Sequence, residues 1–504
     1  MIRLFTPEQV RGFDRRAFQR GATTAQLMQT AAGHLARGVL AAGGHGYGLR
    51  VAILCGKGNN GGDGLAAGRR LLAAGASPVA CLVEGESTLS PDAAAQLRGY
   101  RQVGGRLAGS VVDALATADV AVDCLLGTGA SGEPREPTAS AISALNGAGI
   151  AAVVACDLPS GVDADSGQVP GVAVRADLTV TLGAHKRGLW LWPARGYCGR
   201  LTVGDLGVVD DADEGVAAVL EAADVARLIP GPRPDSHKRS RGVVVVLAGS
   251  SGMTGAATLV ARGAMAAGAG LVTVVTSAAA QPLVAPTIPE ALTIEVPEDD
   301  PDTAFERVAE QVERADALGV GPGLGHEAPT VAMVRRLVRE VGVPLVVDAD
   351  GLNAFRAEAD QLANHKTPLL VCTPHASEFG RLVGSSDAQL WSQRATLVPR
   401  KAAAWNAVVV AKGPGSLVAA PDGRVWINPT GGAGLATGGT GDVLTGITTT
   451  LVAQRPDADS VAAGVWLHGR AGQLAGHRRA ARSVTASDVA AAVRPALDEL
   501  EAGT

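Results

Sequence analysis

The chain has 504 residues, 47% of them apolar and 3% aromatic, with a formal net charge of −5. That length exceeds one ordinary core, so two or three domains are expected. The mild acidity argues against a nucleic-acid partner, and no apolar h-region or run of about twenty apolar residues marks a membrane partner.

Strand and helix signals alternate in both halves. In the first, Arg50–Cys55 is an apolar run ahead of a glycine-rich loop, and 64–74 has helical character. Further apolar runs follow at 78–83, 119–126, 150–156 and 178–182. Short buried strands separated by helices predict an α/β protein whose parallel sheet is covered on both faces. The stretch 210–221 is acidic and alanine-rich, and 229–234 is a proline-broken connector, so the boundary is placed near residue 215, giving domains 1–215 and 216–504. The second half restarts with strands at 242–248, 270–275, 317–320, 344–347, 368–372 and 407–410. It closes with helices at 441–452, 460–476 and 486–500. Six cysteines, at 55, 81, 124, 156, 198 and 372, form no C-x-x-C pair. Reduced thiols, a cytoplasmic location and no zinc site are the expectation.

Two glycine loops end in an aspartate: Gly56-Lys57-Gly58-Asn59-Asn60-Gly61-Gly62-Asp63-Gly64 and Thr437-Gly438-Gly439-Thr440-Gly441-Asp442. A glycine run entering a helix offers free N–H groups at the positive end of the helix dipole, which suits a phosphate. Neither loop fits G-x-x-x-x-G-K-[ST], and two sites of different design imply two active sites.

Ligands in open α/β sheets sit beyond the C-terminal strand ends. There the first half carries Asn59 to Asp63, then Asp123 through Glu133, then Asp157-Leu158-Pro159-Ser160-Gly161. One amide, one carboxylate and one hydroxyl make an all-oxygen cage of low charge, suited to a hard monovalent cation. Gly, Asn, Asp and Ser also favour plain turns, but three such motifs at three strand ends favour a site. The second half carries His237-Lys238, Asp348-Ala349-Asp350, Thr373-Pro374-His375-Ala376-Ser377-Glu378, Lys412-Gly413-Pro414-Gly415-Ser416 and Gly439-Thr440-Gly441-Asp442. A G-x-G-D turn at a helix start supplies what phosphoryl transfer to an alcohol needs: N–H groups for the phosphoryl charge and an aspartate for the hydroxyl proton. The plainer reading of Asp442 is a helix N-cap.

The motifs Gly58-Asn59-Asn60-Gly61-Gly62-Asp63-Gly64, Asp123-x-Leu125-Leu126-Gly127-Thr128-Gly129 and Asp157-x-Pro159-Ser160-Gly161 resemble the NAD(P)H-hydrate epimerase family, over roughly residues 5–210. The resemblance implies a Rossmann-like three-layer αβα domain in which Asn60, Asp123 and Ser160 bind K+. It also implies that Asn59, Asn60, Gly61, Gly62, Asp63, Gly127, Thr128, Gly129, Ala130, Ser131, Gly132, Glu133 and Asp157 line the damaged nucleotide. The chain departs from the family at Ala32, where glycine is usual. Residues from about 222 to 498 resemble the ADP-dependent NAD(P)H-hydrate dehydratase family, through His237-Lys238, 268–273, Thr373-Pro374-His375-x-x-Glu378 and 434–444, with a departure at Arg239. That implies a ribokinase-like α/β domain. AMP would lie against Lys412, Gly413, Pro414, Gly415, Ser416 and Gly441, and the hydrated nucleotide against Ala256, Gly323, His375 and Asp442.

The joint resemblance implies repair of NADHX and NADPHX. The R and S hydrates are epimerised with Asp157 moving a proton. The S form is then phosphorylated from ADP with Asp442 as base and Mg2+ as charge partner, and phosphate leaves. Small-molecule substrates and a homo-oligomer are the expected partners. The alternatives are a ribokinase-like kinase of a vitamin-type alcohol and a nucleotide-sensing non-enzyme; fold does not fix function.

Overall fold

The structure, a computed structural model, describes the chain apart from Asp211, Pro230, Pro232, Ala357, Gly503 and Thr504, and apart from the side chains of Asp387 and Ala388. The acidic stretch 210–221, the connector 229–234 and the end of segment 216–504 therefore lie partly outside the described residues. The chain divides into two compact units, Arg3–Ala217 and Ala218–Thr504, the latter with Met1–Ile2.

In the first unit two helices precede the elements expected from sequence: α1 (Pro7–Gln19) and α2 (Thr24–Gly43). Each opens with a capping box, Thr6 with Gln9 and Thr23 with Gln26, which satisfies otherwise orphaned N–H groups. Strands β1 (Arg50–Cys55), β2 (Ser77–Leu82), β3 (Arg106–Leu107), β4 (Val120–Cys124), β5 (Ala152–Cys156), β6 (Leu178–Leu182) and β7 (Arg200–Gly204) form a seven-stranded sheet. Its order is β3-β2-β1-β4-β5-β6-β7, parallel throughout. Along β1, Val51 and Ile53 pack into the core beneath α2 and α3 (Asn59–Ala73), whereas Ala52 and Leu54 pack into a second core with the helix Thr138–Gly147. Helices α4 (Pro91–Gln102) and α5 (Thr138–Gly147) complete the two layers. This period-two division is why the strand reads as a continuous apolar run. Each such buried Ile or Leu contributes about 1.5–3 kcal/mol.

Helix α3 starts at Asn59, inside the glycine loop, five residues ahead of the expected start at 64. A Cβ on Gly56 would lie 1.9 Å from the Leu125 carbonyl oxygen, and one on Gly61 would lie 2.0 Å from the Gly56 carbonyl oxygen. The glycines thus let the first helical turn press directly on the end of the sheet.

In the second unit the strands are β8 (Val243–Leu247), β9 (Leu271–Ser277), β10 (Leu292–Val296), β11 (Ala317–Val320), β12 (Leu345–Val347), β13 (Leu370–Cys372), β14 (Val408–Ala411), β15 (Leu417–Ala419) and β16 (Val425–Ile427). They run in the order β16-β15-β14-β13-β12-β11-β8-β9-β10, with the short strand Ala217–Val219 beyond β16, and β15 pairs antiparallel with both of its neighbours. Sequence reading missed β10, an edge strand whose Leu292 is 65% exposed, and the short hairpin strands β15 and β16. The helices that position the site are α6 (Thr254–Ala266), α7 (Ala376–Val383), α8 (Thr440–Gln454), α9 (Ala458–Arg478) and α10 (Ala486–Ala502). Helix α8 is buried nearly all round. Two of its buried threonines donate back along the helix, Thr449 Oγ1 to the Thr445 carbonyl at 2.7 Å and Thr450 Oγ1 to the Gly446 carbonyl at 3.0 Å, whereas the buried Thr448 hydroxyl has no partner among the described residues. No helix among the described residues is long and apolar enough to cross a membrane. The six cysteines are free and buried.

Candidate active sites

The first unit holds a cavity of about 920 Å³ at the C-terminal ends of its central strands. Of the residues expected there, Asn59, Asn60, Asp63, the run Gly127 to Glu133 and Asp157 line it. Gly61 and Gly62 do not; they face the Gly56 carbonyl and Met28, so their role is close packing of the α3 turn. The α3 N-cap is Gly58, with no side chain capping the helix, which leaves the first N–H groups for a ligand anion.

Asn60, Asp123 and Ser160 converge although they come from three segments. Ser160 Oγ and N donate to the Asp123 carboxylate at 2.6 and 2.7 Å, Leu126 N donates to Ser160 Oγ at 2.8 Å, and Asn60 Nδ2 donates to the Leu126 carbonyl at 2.9 Å. Asp123 is fully buried, and its desolvation pushes its pKa up to about 6 against the pull of the Ser160 and Leu125 hydrogen bonds. No basic side chain pairs with it among the described residues, so a small cation fits the charge this cage leaves uncompensated.

Asp157 follows β5 with φ of +69°, a left-handed conformation that aspartate tolerates better than most residues. That turn aims its carboxylate at Leu182 N, 3.0 Å away, and at Lys186 Nζ, with which it forms a buried ion pair. Lys186 also donates to Leu182 O at 2.6 Å and Thr181 Oγ1 at 3.1 Å, which fixes the ammonium. Asp63 and Asp14 also face the cavity, with Glu84, Glu133 and Glu136. Burial raises the pKa of Asp63 well above normal, with Asp157 and Asp14 adding to it. Burial likewise raises Asp14, partly offset by Lys186. Asp14 went unread because its helix was not recognised; the capping pattern Thr6-Pro7-Glu8-Gln9 was the available signal.

In the second unit Lys412, at the end of β14, sits 2.6 Å from Asp348 Oδ1 and 3.9 Å from Glu378 Oε2. Thr445 Oγ1 of α8 donates to the other Asp348 oxygen at 2.7 Å. Burial works against the charge on Lys412, but the Asp348 and Glu378 carboxylates outweigh it and raise its pKa. His375 caps α7 through a box with Glu378 and lies 3.3 Å from that carboxylate through Nε2. Gly441 stands at the same point: a Cβ there would lie 3.3 Å from Lys412 Nζ. Gly323 abuts Ala256, at 2.8 Å between a built Cβ and the Ala256 Cβ. The 412–416 turn is held by Gly413 N donating to Ser416 Oγ at 3.2 Å and by Arg394 donating to the Pro414 carbonyl at 3.0 Å.

Asp442 is not the N-cap of α8. Gly439 is, in a left-handed conformation without a side-chain cap, and Asp442 accepts no hydrogen bond among the described residues. Its pKa is pushed up to about 7 by burial first and then by Asp348, with Lys412 pulling the other way. A carboxylate poised near neutrality beside uncapped N–H groups and a lysine can take a proton from an alcohol while a phosphoryl group is held. Residue order places Asp348 at a strand end and assigns it no role; its link to Lys412 and Thr445 depends on three distant segments meeting.

The second sheet is that of a ribokinase-like nucleotide-binding α/β protein, and it shares the chain with a Rossmann-like unit. Family models match at residues 244–495, described as NAD(P)H-hydrate dehydratase, and at 24–188, described as YjeF-related protein N-terminus. The bifunctional NAD(P)H-hydrate repair enzyme Nnr of Moorella thermoacetica is 39% identical over 87% of this chain and 86% of that protein. Its Escherichia coli counterpart is 34% identical over 87% and 83%. A Bacillus subtilis ADP/ATP-dependent NAD(P)H-hydrate dehydratase, crystallised with ATP and Mg2+, superposes with TM-score 0.51 at 30% identity, covering 56% of this chain and 99% of that one. The chain belongs to the family of bifunctional NAD(P)H-hydrate repair enzymes.

Proposed function

We propose that this chain interconverts the R and S hydrates of NADH and NADPH in its first unit and dehydrates the S form in its second, using ADP. The observation that carries the reading is the pairing, in one chain, of the Asp157–Lys186 cavity with a half-buried Asp442 beside Lys412.

In the second site Asp442 accepts the proton of the C6 hydroxyl as the β-phosphoryl of ADP transfers to that oxygen, leaving AMP. The C6–O bond then breaks, phosphate leaving as the ring nitrogen lone pair forms an iminium, and loss of a C5 proton to water gives NAD(P)H. The turn at 412–416 and Gly441 hold the nucleotide, while Ala256, Gly323 and His375 meet the hydrated substrate. Uncapped N–H groups at the start of α8 face the transferred charge. Mg2+, when bound, neutralises phosphate charge; it keeps several waters and needs only one or two carboxylates besides the phosphates.

In the first site Asp157 moves the proton that permits inversion at C6, and Lys186 fixes its carboxylate. Asn59, Asn60, Asp63 and the Gly127 to Glu133 loop hold the nucleotide. Asn60, Asp123 and Ser160 hold K+, whose charge supports Asp123 and keeps three loops in register. The free, buried cysteines suit a reducing cytoplasm, and the protein works there as a homo-oligomer.

A vitamin-alcohol kinase would release a stable phosphate ester and would leave the first cavity without a role. The test is to incubate an R/S mixture of hydrated NADH with the protein and ADP, following NADH absorbance and AMP. Conversion of both epimers supports the reading. Conversion of the S form alone removes the epimerase half, and a stable phosphorylated product favours the kinase.

A further inference from the structure

The second unit carries another cavity, of about 890 Å³, lined by Arg335, Arg339, Arg356, Arg381, His326 and Asn353 with a few apolar residues. Four arginines without one carboxylate in the lining stand out in a chain of net charge −5. Arg335 and Arg339 are four residues apart on the helix Ala328–Glu340, a like-charge spacing that is unfavourable in isolation. The helix dipole favours a cation in the last turn, which accounts for Arg339. It does not account for Arg356 and Arg381, which come from other segments.

The nearby acids are already engaged or face elsewhere. Glu358 pairs with Arg335 at 3.1 Å, Asp350 lies 3.2 Å from His326, and Glu340 pairs with Arg336. Arg381 donates to Asn353 Oδ1 at 3.1 Å, leaving part of its fork unused. Arg339 and Arg356 have no acidic partner among the described residues, and both are exposed. The cavity also adjoins the dehydratase site, since Arg381 belongs to the helix that His375 caps, and Asp350 links His326 to Gly325 N at 2.9 Å.

We propose that this cavity binds a phosphate group. Guanidinium forks match phosphate oxygens two at a time, and Arg339 and Arg356, which lack an acidic partner among the described residues, line one cavity with Arg381 and the already paired Arg335, so forks from three segments meet there. Two sources share that chemistry: the extra phosphate of hydrated NADPH, or free inorganic phosphate. The proposal rests on the second site being the dehydratase only for the first source.

The experiment titrates the full-length protein with inorganic phosphate by calorimetry at low ionic strength, with AMP saturating the nucleotide turn. It compares wild type with Arg339→Gln/Arg356→Gln. The expected result is phosphate binding that weakens at least about tenfold in the double variant, consistent with losing two charge-assisted contacts, while chloride gives no signal. In parallel, dehydration is measured on hydrated NADPH and hydrated NADH. A rise of about tenfold in KM for hydrated NADPH alone, at unchanged kcat, identifies the substrate phosphate as the source. Unchanged KM values with lost phosphate binding identify free phosphate. Equal phosphate binding by both proteins overturns the proposal, as does a variant that changes oligomeric state by light scattering, which would make the patch an interface between copies. Absence of dehydration in the wild type would defeat the functional reading while leaving the calorimetric result to stand by itself.

Discussion

One ammonium serves two buried carboxylates: Lys412 Nζ lies 2.6 Å from Asp348, and the same group is 3.9 Å from Glu378. Asp348 is 1% exposed, so the lysine holds a charge that water cannot reach. Lys412 is therefore both a nucleotide contact in the proposed mechanism and the counter-ion of the site itself.

Lys412→Ala should accordingly do more than weaken ADP binding. Removing one partner of a buried pair costs about 3–5 kcal/mol because the other charge is left uncompensated. Lys412 also pulls the pKa of Asp442 down, so its loss should move the acid limb of the dehydration pH profile to higher pH. Thermal denaturation and a pH-rate profile read the two effects separately. An unshifted profile with only a raised KM for ADP would reduce Lys412 to a phosphate contact.

For Asp442 the expected pH dependence has a definite sign. The base form is present above a pKa of about 7, so dehydration should fall about tenfold for each pH unit below it. Asp442→Asn should cut turnover by about 10²–10⁴-fold and leave epimerisation unchanged. ADP affinity, measured by calorimetry, should stay near that of the wild type. Near-normal turnover in this variant would falsify the assignment.

Burial pushes the Asp123 carboxyl up to about 6 from its ordinary 3.8. Its folded state thus binds the extra proton, and its burial costs stability above about pH 6 but not at pH values below its free pKa. Potassium binds the charged carboxylate, so added KCl should raise the thermal midpoint more as pH climbs through about 6, against a choline chloride control. Asp123→Ala should abolish both that gain and epimerase activity, while dehydration of the S epimer survives. A salt response identical in wild type and variant would remove the cation from this cage.

The Asp157–Lys186 pair should be strongly non-additive. Lys186→Met leaves a buried carboxylate unpaired and is expected to destabilise by about 3–5 kcal/mol. Lys186→Met/Asp157→Asn removes both charges and should cost less than the sum of the single changes, by about 0.5–3 kcal/mol of coupling. Chemical denaturation of the four proteins of the cycle measures this directly. Additive losses would mean that the two groups do not share an ion pair in solution.

Much of the architecture is local in origin and was readable from residue order. Apolar runs of strand length, such as Leu178–Leu182 and Ala317–Val320, match the observed strands because they are buried on both faces and carry no competing period. The exposed edge strand Leu292–Val296 has no such run of buried positions, so it escaped. The helix Thr24–Gly43 carries a weaker signal, a capping box ahead of a weakly amphipathic, alanine-rich face. The glycine motifs marked both ligand regions because close backbone approach admits no side chain, as at Gly56 and Gly61.

The sequence by itself determined the family, the alternating α/β plan and the residue types at the strand ends. Tertiary structure decided which of those residues carry linked charges. Asp14 joins Asp63 and Asp157 only because α1 lines the first cavity, and Asp348 meets Lys412 and Thr445 only when β12, β14 and α8 are packed together. A pKa and an ion pair depend on distance and on exclusion of water. Neither is a property of neighbours along the chain, so the electrostatic half of both sites exists only in the folded molecule.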